Sequence, residues 1–207
     1  MKPALTTPGL GEKVMVTASA DVADGAHIGA RTKVWHQAQV DAGVSVGTDC
    51  VLGKAVHLCS KAQVGNKVKI QDGCGVYGAV LEDAVMLAPG VRLLEDSAPR
   101  AVTPDGQLKG RDDWGRQPVT IRYGATIGAN AVVLPGITVG RFAMVGAGAV
   151  VGRDVADHGL ILGNPGRQVG WACQCGHRLD DIFTCPSCGR HYLERPHGLS
   201  LAPDTAP

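Results

Sequence analysis

Four of the seven cysteines in this 207-residue chain lie close together near its C-terminus. They read Cys173-x-Cys175-Gly-His and Cys185-Pro-Ser-Cys188-Gly, with nine residues between Cys175 and Cys185. Two close thiol pairs, each followed by glycine, are the donor set of a tetrahedral zinc ion in a small ribbon. Four sulfurs leave no position open for water, so the expected role is structural. The first spacing is Cys-x-Cys rather than Cys-x-x-Cys, and His177 or His191 could replace one sulfur. The other three cysteines, Cys50, Cys59 and Cys74, are read as small filler residues. Elsewhere the residues able to move a proton are sparse: His27, His36 and His57, with Lys54, Asp72 and Tyr77 nearby in sequence. An imidazole suits proton transfer, and a neighbouring carboxylate fixes its tautomer. Which of these groups meet depends on the backbone that carries them.

That backbone is a repeat. Written in sixes from Val16, the rows read VTASAD, VADGAH, IGARTK, VWHQAQ, VDAGVS, VGTDCV, LGKAVH, LCSKAQ, VGNKVK and IQDGCG. Each opens on Val, Ile or Leu, and its fifth place is small or β-branched. The phase slips by one residue after Val76 and resumes at Leu81. It breaks over 95–118 and returns from Ile121 to about Val151. Six residues suit one short strand and a corner, so three rows close a triangular coil of eighteen. First and fifth places point inward, and glycine in the second place is expected to serve the corner. Stacked coils pair as parallel strands about 4.8 Å apart. Strands of a β-sandwich would alternate with period two and turn every 8–12 residues, which does not fit.

The eighteen-residue coil converts sequence spacing into columns. His36, Lys54 and Asp72 form one outward column on successive coils, and Gln39, His57 and Gly75 form the next. His57 is therefore expected one coil from Asp72, close enough for the pair to handle a proton or orient an amine. Composition agrees with a thin aliphatic prism: glycine is 29 of 207 residues and aromatics are 4%, against an average glycine share of about 7%. Net charge is +1, which offers nothing to a nucleic acid polymer or an anionic membrane. No long apolar run and no signal-peptide pattern is seen, so a cytoplasmic protein is expected.

The rows, the closing stretch VGAGAVVGRDV (145–155) and the exit GNPGRQVGW (163–171) resemble the hexapeptide-repeat acyltransferases. In that superfamily an all-β, left-handed parallel β-helix assembles as a homotrimer, and acyl-CoA lies between adjacent helices. The exit is commonly Gly-x-Pro-Ala-Arg, and Gly166 stands here for the alanine. Within the superfamily the chain is most similar to N-acetyltransferases of nucleotide-linked 3-amino sugars. The shared stretches are VWH (34–36), GNKVKIQ (65–71), VY (76–77) and YGATIGANAVVLPGITVG (123–140). Three departures fall where the acceptor should sit. Asp72 takes the place of an asparagine, the slip follows Tyr77, and Leu94-Glu95-Asp96 replaces Phe-Thr-Asn.

The resemblance covers the β-helix over 14–171; the cysteine spacing adds a zinc-ribbon-like cap over 172–193, and flexible tails are expected at 1–13 and 194–207. The resemblance implies acetyl transfer from CoA to the amine of a nucleotide-linked amino sugar. His57 and Asp72 would be catalytic, and His36, Lys54 and Tyr77 would bind the acceptor, with Trp35–His36 alternatively at a subunit contact. Arg122, Ala147, Gly148, Arg153 and Arg167 would bind CoA. The 95–118 excursion, with Arg100, Lys109, Arg111, Asp112, Asp113, Trp114 and Arg116, would cover a neighbouring subunit's site. Acyl transfer to another small amine or hydroxyl acceptor is the nearest alternative, and two further readings use the same helix. One is a γ-type carbonic anhydrase, whose three-histidine zinc spacing is not found. The other is a non-catalytic scaffold.

Overall fold

The structure, a computed structural model, describes residues 9–110 and 113–203. Two-residue strands alternate with tight turns from Met15–Val16 to Val150–Val151, and no α-helix occurs among the described residues. The strands stack into three parallel sheets, the faces of a left-handed triangular prism. Face one begins with Met15–Val16, Lys33–Val34 and Val51–Leu52. Face two begins with Asp21–Val22, Gln39–Val40 and His57–Leu58. Face three begins with His27–Ile28, Ser45–Val46 and Gln63–Val64. The first edge joins faces one and two, the second joins two and three, and the third returns to face one.

The six-residue pattern dictates this packing. First-place Val34, Leu52, Leu58, Ile70, Leu87 and Ile127 and fifth-place Ala38, Val44, Val56 and Val68 are all fully buried. Each buried Val, Leu or Ile contributes roughly 1.5–3 kcal/mol, and every coil needs its neighbour to complete that burial. Thr32, a polar residue in a fifth place, is tolerated because its Oγ1 donates to Gly47 O at 2.9 Å and accepts from Cys50 N at 3.0 Å.

Glycine works differently from the expectation. The left-handed backbone sits at the fourth place, largely on side chains that are not glycine: Arg31, Gln37, Asp49, Ala55, Lys61 and Lys67 all have positive φ. Second-place glycines answer to close approach between coils. A Cβ on Gly29 would lie 2.5 Å from Gly47 C, and one on Gly47 would lie 2.5 Å from Gly65 O.

The phase slip is a one-residue shortening of the second edge at Tyr77-Gly78-Ala79. Pairing runs Lys33↔Val51 before it, then Lys69↔Met86 and Gly75↔Arg92 across it. The long excursion leaves from the same edge, one coil further on. Arg92 still pairs with Val132, so the ladder is unbroken. The excursion is a folded hairpin with bridges Asp96↔Arg116 and Val102↔Leu108, and it exposes Val102, Leu108 and Trp114. Arg111 and Asp112 lie outside the described residues.

Both tail boundaries move. A bridge from Leu10 to Ile28 starts the helix before residue 14. Tyr192–Arg195 and Gly198–Leu201 form an antiparallel hairpin where a flexible tail is expected from 194. That hairpin docks back on the helix, with Asp157 N donating to His197 O at 2.9 Å. Residues 1–8 and 204–207 lie outside the described residues.

Candidate functional site

The stacking aligns both columns read from the sequence, but it gives His57 a different partner. Asp72 Oδ1 accepts from the Lys54 main-chain N–H at 2.8 Å and caps the turn below it on the first edge. His57 leans the other way, towards the second edge, where its Nε2 lies 3.4 Å from Asp41 Oδ1. The expected His57–Asp72 pair is therefore corrected to His57–Asp41. Asp41 is held in place, because Gln39 Nε2 donates to its Oδ1 at 3.3 Å and Ser60 N donates to its Oδ2 at 3.3 Å.

Asp41, Cys59 and Tyr77 form a further outward column, eighteen residues apart, beside the His57 column. Asp41 N donates to Leu58 O, and Cys59 N donates to Val76 O. Spacing alone could have found this column. Cys59 is not a buried filler like Cys50 and Cys74; it is half-buried with its sulfur 3.5 Å from His57 Nε2. Burial, then Asp41 and Glu95, push its thiol up to about 11, so it is a poor nucleophile at neutral pH. The Tyr77 ring stands edge-on to His57 at 6.1 Å. Glu95 and Arg116, from the two stems of the excursion, pair at 3.7 Å. The histidine, its carboxylate, the shortened turn and the excursion thus belong to one stretch of the second edge.

The remaining expected residues scatter. His36 Nδ1 lies 2.9 Å from Ser19 Oγ. Trp35, His36, Lys54 and Asp72 line a groove of about 340 Å³ on the first edge. Ala147 and Gly148 are on that edge near the top of the helix, and Arg153 follows face two at the second edge. Arg167 begins the strand Arg167–Trp171, which caps face one. Arg122 is on the third edge, its Nη1 4.0 Å from Asp157 Oδ1. These five residues are therefore spread over all three edges of the helix and are not gathered into one site on a single chain.

The four cap sulfurs converge. Cys173–Cys188 and Cys175–Cys185 are each 3.5 Å apart, and all four sulfurs lie within 4.8 Å of one another. A tetrahedral zinc with Zn–S of about 2.3 Å wants sulfurs about 3.8 Å apart, so this donor set fits. The clustered thiols titrate together: a main-chain hydrogen bond from Arg190 holds the Cys188 thiol down, while burial and its sulfur neighbours push Cys175 up. Tyr192 is fully buried, its hydroxyl 3.1 Å from Cys173 Sγ and accepting from Gln174 N. His177 Nδ1 is 3.5 Å from Cys175 Sγ, and His191 Nδ1 is 3.0 Å from Thr184 Oγ1, so neither displaces a sulfur from the cluster. His158 joins cap to helix. It is buried between the Phe142 and Tyr192 rings, its Nδ1 is 2.8 Å from Ala172 O, and burial lowers its pKa.

Residues 118–153 match the family described as the hexapeptide repeat of succinyl-transferase. A dTDP-3-amino-3,6-dideoxy-alpha-D-galactopyranose 3-N-acetyltransferase of Aneurinibacillus thermoaerophilus is 39% identical over 84 residues, covering 39% of this chain and 42% of that protein. A 2,3,4,5-tetrahydropyridine-2,6-dicarboxylate N-acetyltransferase of Ligilactobacillus salivarius is 51% identical over 53 residues, 26% of this chain and 23% of that one. The chain thus spans less than half the length of either. Among solved structures, a UDP-N-acetylglucosamine acyltransferase from Bacteroides fragilis superposes with a TM-score of 0.64 over 83% of this chain and 74% of that one, at 15% identity. That likeness is one of fold.

Proposed function

We propose that this chain, a member of the hexapeptide-repeat acyltransferase superfamily, transfers an acyl group, acetyl by preference, from CoA to the amine of a nucleotide-linked amino sugar. The single observation that carries the reading is the Asp41–His57 pair, at the one edge where the coil is both shortened and extended by a hairpin. The similarity to the dTDP-amino-sugar acetyltransferase supports the acceptor class.

The chemistry follows from the pair. The amine nitrogen attacks the thioester carbonyl and a tetrahedral centre forms. The neutral imidazole donates Nε2–H to Asp41 Oδ1, and Nδ1 accepts the proton released by the attacking nitrogen. Collapse breaks the C–S bond and CoA leaves as a thiolate, which takes the proton back from His57. Much of the rate comes from holding amine and thioester at reacting distance; a positioned base adds roughly 10²–10⁴-fold. Tyr77, edge-on to His57, is placed to pack against the sugar. Trp35, His36 and Lys54 offer an exposed indole and two polar groups to the nucleotide. The main chain at Ala147–Gly148 suits the pantetheine arm, with Arg167 and Arg153 for the phosphates.

A homotrimer fits this arrangement, since each CoA crevice needs a second helix and the hairpin's exposed Leu108 and Trp114 need a surface to cover. A structural zinc in the four-cysteine cap and a cytoplasmic setting complete the reading. The direct test is thiol release from acetyl-CoA with a panel of nucleotide-linked amino sugars. Acceptor-dependent release supports the assignment, and none with any amine acceptor favours the non-catalytic scaffold.

A further inference from the structure

The shortened turn on the second edge makes room for a carboxylate. Gly78 sits in its middle with a φ of 59°, and a Cβ there would run into Glu95 Oε2. Room, not backbone conformation, is what glycine supplies, since Ala55 and Ala84 hold φ of 54° and 60° elsewhere in the coils. Glu95 belongs to the first stem of the hairpin, and its main-chain carbonyl accepts from Gln117 N at 2.7 Å, which fixes the stem. Its side chain is only 14% exposed, yet its carboxylate accepts no hydrogen bond among the described residues and meets only Arg116 Nε, at 3.7 Å. A carboxylate so covered ordinarily holds hydrogen-bond donors, and leaving a charged acceptor without them costs more than leaving a neutral one. Asp41 is different, because His57, Gln39 and Ser60 already occupy its oxygens. Both carboxylates belong to one neighbourhood: Tyr77, edge-on to His57, directly precedes Gly78, and the charges of Asp41 and Glu95 both reach Cys59.

We infer that Glu95 is a specificity-determining residue of the acceptor site: its carboxylate accepts hydrogen bonds from a hydroxyl or amino group of the sugar, and it selects an amino-deoxysugar without a carboxylate over an aminouronate. The inference rests on the reading of the second edge as the place where the amino sugar is acylated. With His57 neutral, as a base must be, Asp41 and Glu95 set two negative charges against the single positive charge of Arg116. The edge therefore draws in the ammonium of an incoming amino sugar and repels a carboxylate on its ring. Like charges held in a partly buried setting separate the two acceptors by roughly tenfold or more in affinity. Arg116 does not reverse this, because Glu95 already faces it.

The test is kcat/KM of the full chain for two acceptors on the same nucleotide that differ only at C6, a 3-amino-6-deoxysugar and the corresponding 3-aminouronate, with acetyl-CoA saturating. Wild type should prefer the deoxysugar by roughly tenfold or more, chiefly through KM. Glu95→Gln keeps the shape and removes the charge, and should bring the ratio close to one while the KM for acetyl-CoA stays as it was. Gly78→Ala keeps the charge and displaces the carboxylate; it should narrow the ratio as well, and add little in the Glu95→Gln background. This second variant decides the matter should Glu95→Gln fail to fold. A Glu95 that only braces the hairpin would lower both acceptors alike, so an unchanged ratio in both variants overturns its role and leaves acyl transfer to amino sugars standing. A wild type that prefers the aminouronate overturns the charge argument. Turnover of neither sugar overturns the reading of the second edge itself, and the inference with it.

Discussion

Gly128→Ala adds one methyl group where the stacked coils come closest. The new Cβ would lie 2.5 Å from Ala147 N, 2.6 Å from Gly146 C and 2.7 Å from Val145 O, all main-chain atoms that cannot swing aside. Ordinary contact needs about 3.4 Å or more, so the coils must part by nearly an ångström at this point. The 2.7 Å hydrogen bond from Gly128 N to Val145 O would lengthen with them. Overpacking of this kind costs roughly 1–3 kcal/mol, and weakening one buried main-chain bond about 1 kcal/mol more. For a chain of this length each kcal/mol lowers Tm by about 2–4 °C, so the loss should be about 5–15 °C. Gly152 is the control. It also occupies a second place, but its Cβ would meet only Leu134 Cδ1 at 3.6 Å and its φ is not left-handed. Gly152→Ala should fall within about 0.5 kcal/mol of wild type, or stabilise slightly by stiffening the unfolded chain. Thermal melts of the two variants side by side are the assay. Equal shifts would refute the claim that second-place glycines are set by inter-coil approach.

Three further outcomes follow. Cys185→Ser should lose the cap's zinc and release the 172–201 segment to proteolysis while the coils keep their circular dichroism; a metal-free cap of unchanged protease resistance contradicts the zinc assignment. Burial lowers the folded-state pKa of His158, so below the unfolded value of about 6.5 the unfolded chain binds the extra proton. The stability this neutral histidine contributes is therefore full above that pH and is lost as pH falls towards the folded pKa; His158→Phe should flatten the fall in Tm between pH 7 and pH 5, and an unaltered slope would count against it. Arg167→Ala should raise KM for acyl-CoA and leave the acceptor's nearly unchanged, since a phosphate contact binds ground and transition states alike; unchanged CoA dependence moves the phosphate site elsewhere.

The coils were legible because each residue's place in the six decides its direction: Leu58 and Val56 could be assigned inward with no knowledge of their contacts. The slip after Val76 and the break at 95 were legible too, as losses of that phase. Asp41 was missed for a geometric reason. Spacing by eighteen relates like places on successive coils, and Asp41 is the partner of a residue sixteen ahead, in the neighbouring column. The same arithmetic applied to 41, 59 and 77 would have exposed it. Asp72 misled because its column is right and its direction is not: the side chain turns back to cap Lys54 N. Second-place glycine looked like a turn residue because spacing carries no inter-coil distance. The hairpin at 192–201 was hidden because its short sequence has no repeat phase to read, although Tyr192 and Leu199 belong to the cap's core.

In the proposed mechanism His57, aligned by Asp41, takes the proton from an attacking amine. The direct measurement is the pH dependence of kcat/KM for acetyl transfer from CoA to a dTDP-linked 3-amino sugar, in wild type and in His57→Gln. His57→Gln should lose roughly 10²–10⁴-fold together with the alkaline-rising limb, and Asp41→Asn should lose less and retain the limb. Full turnover with an unchanged profile in His57→Gln would contradict it.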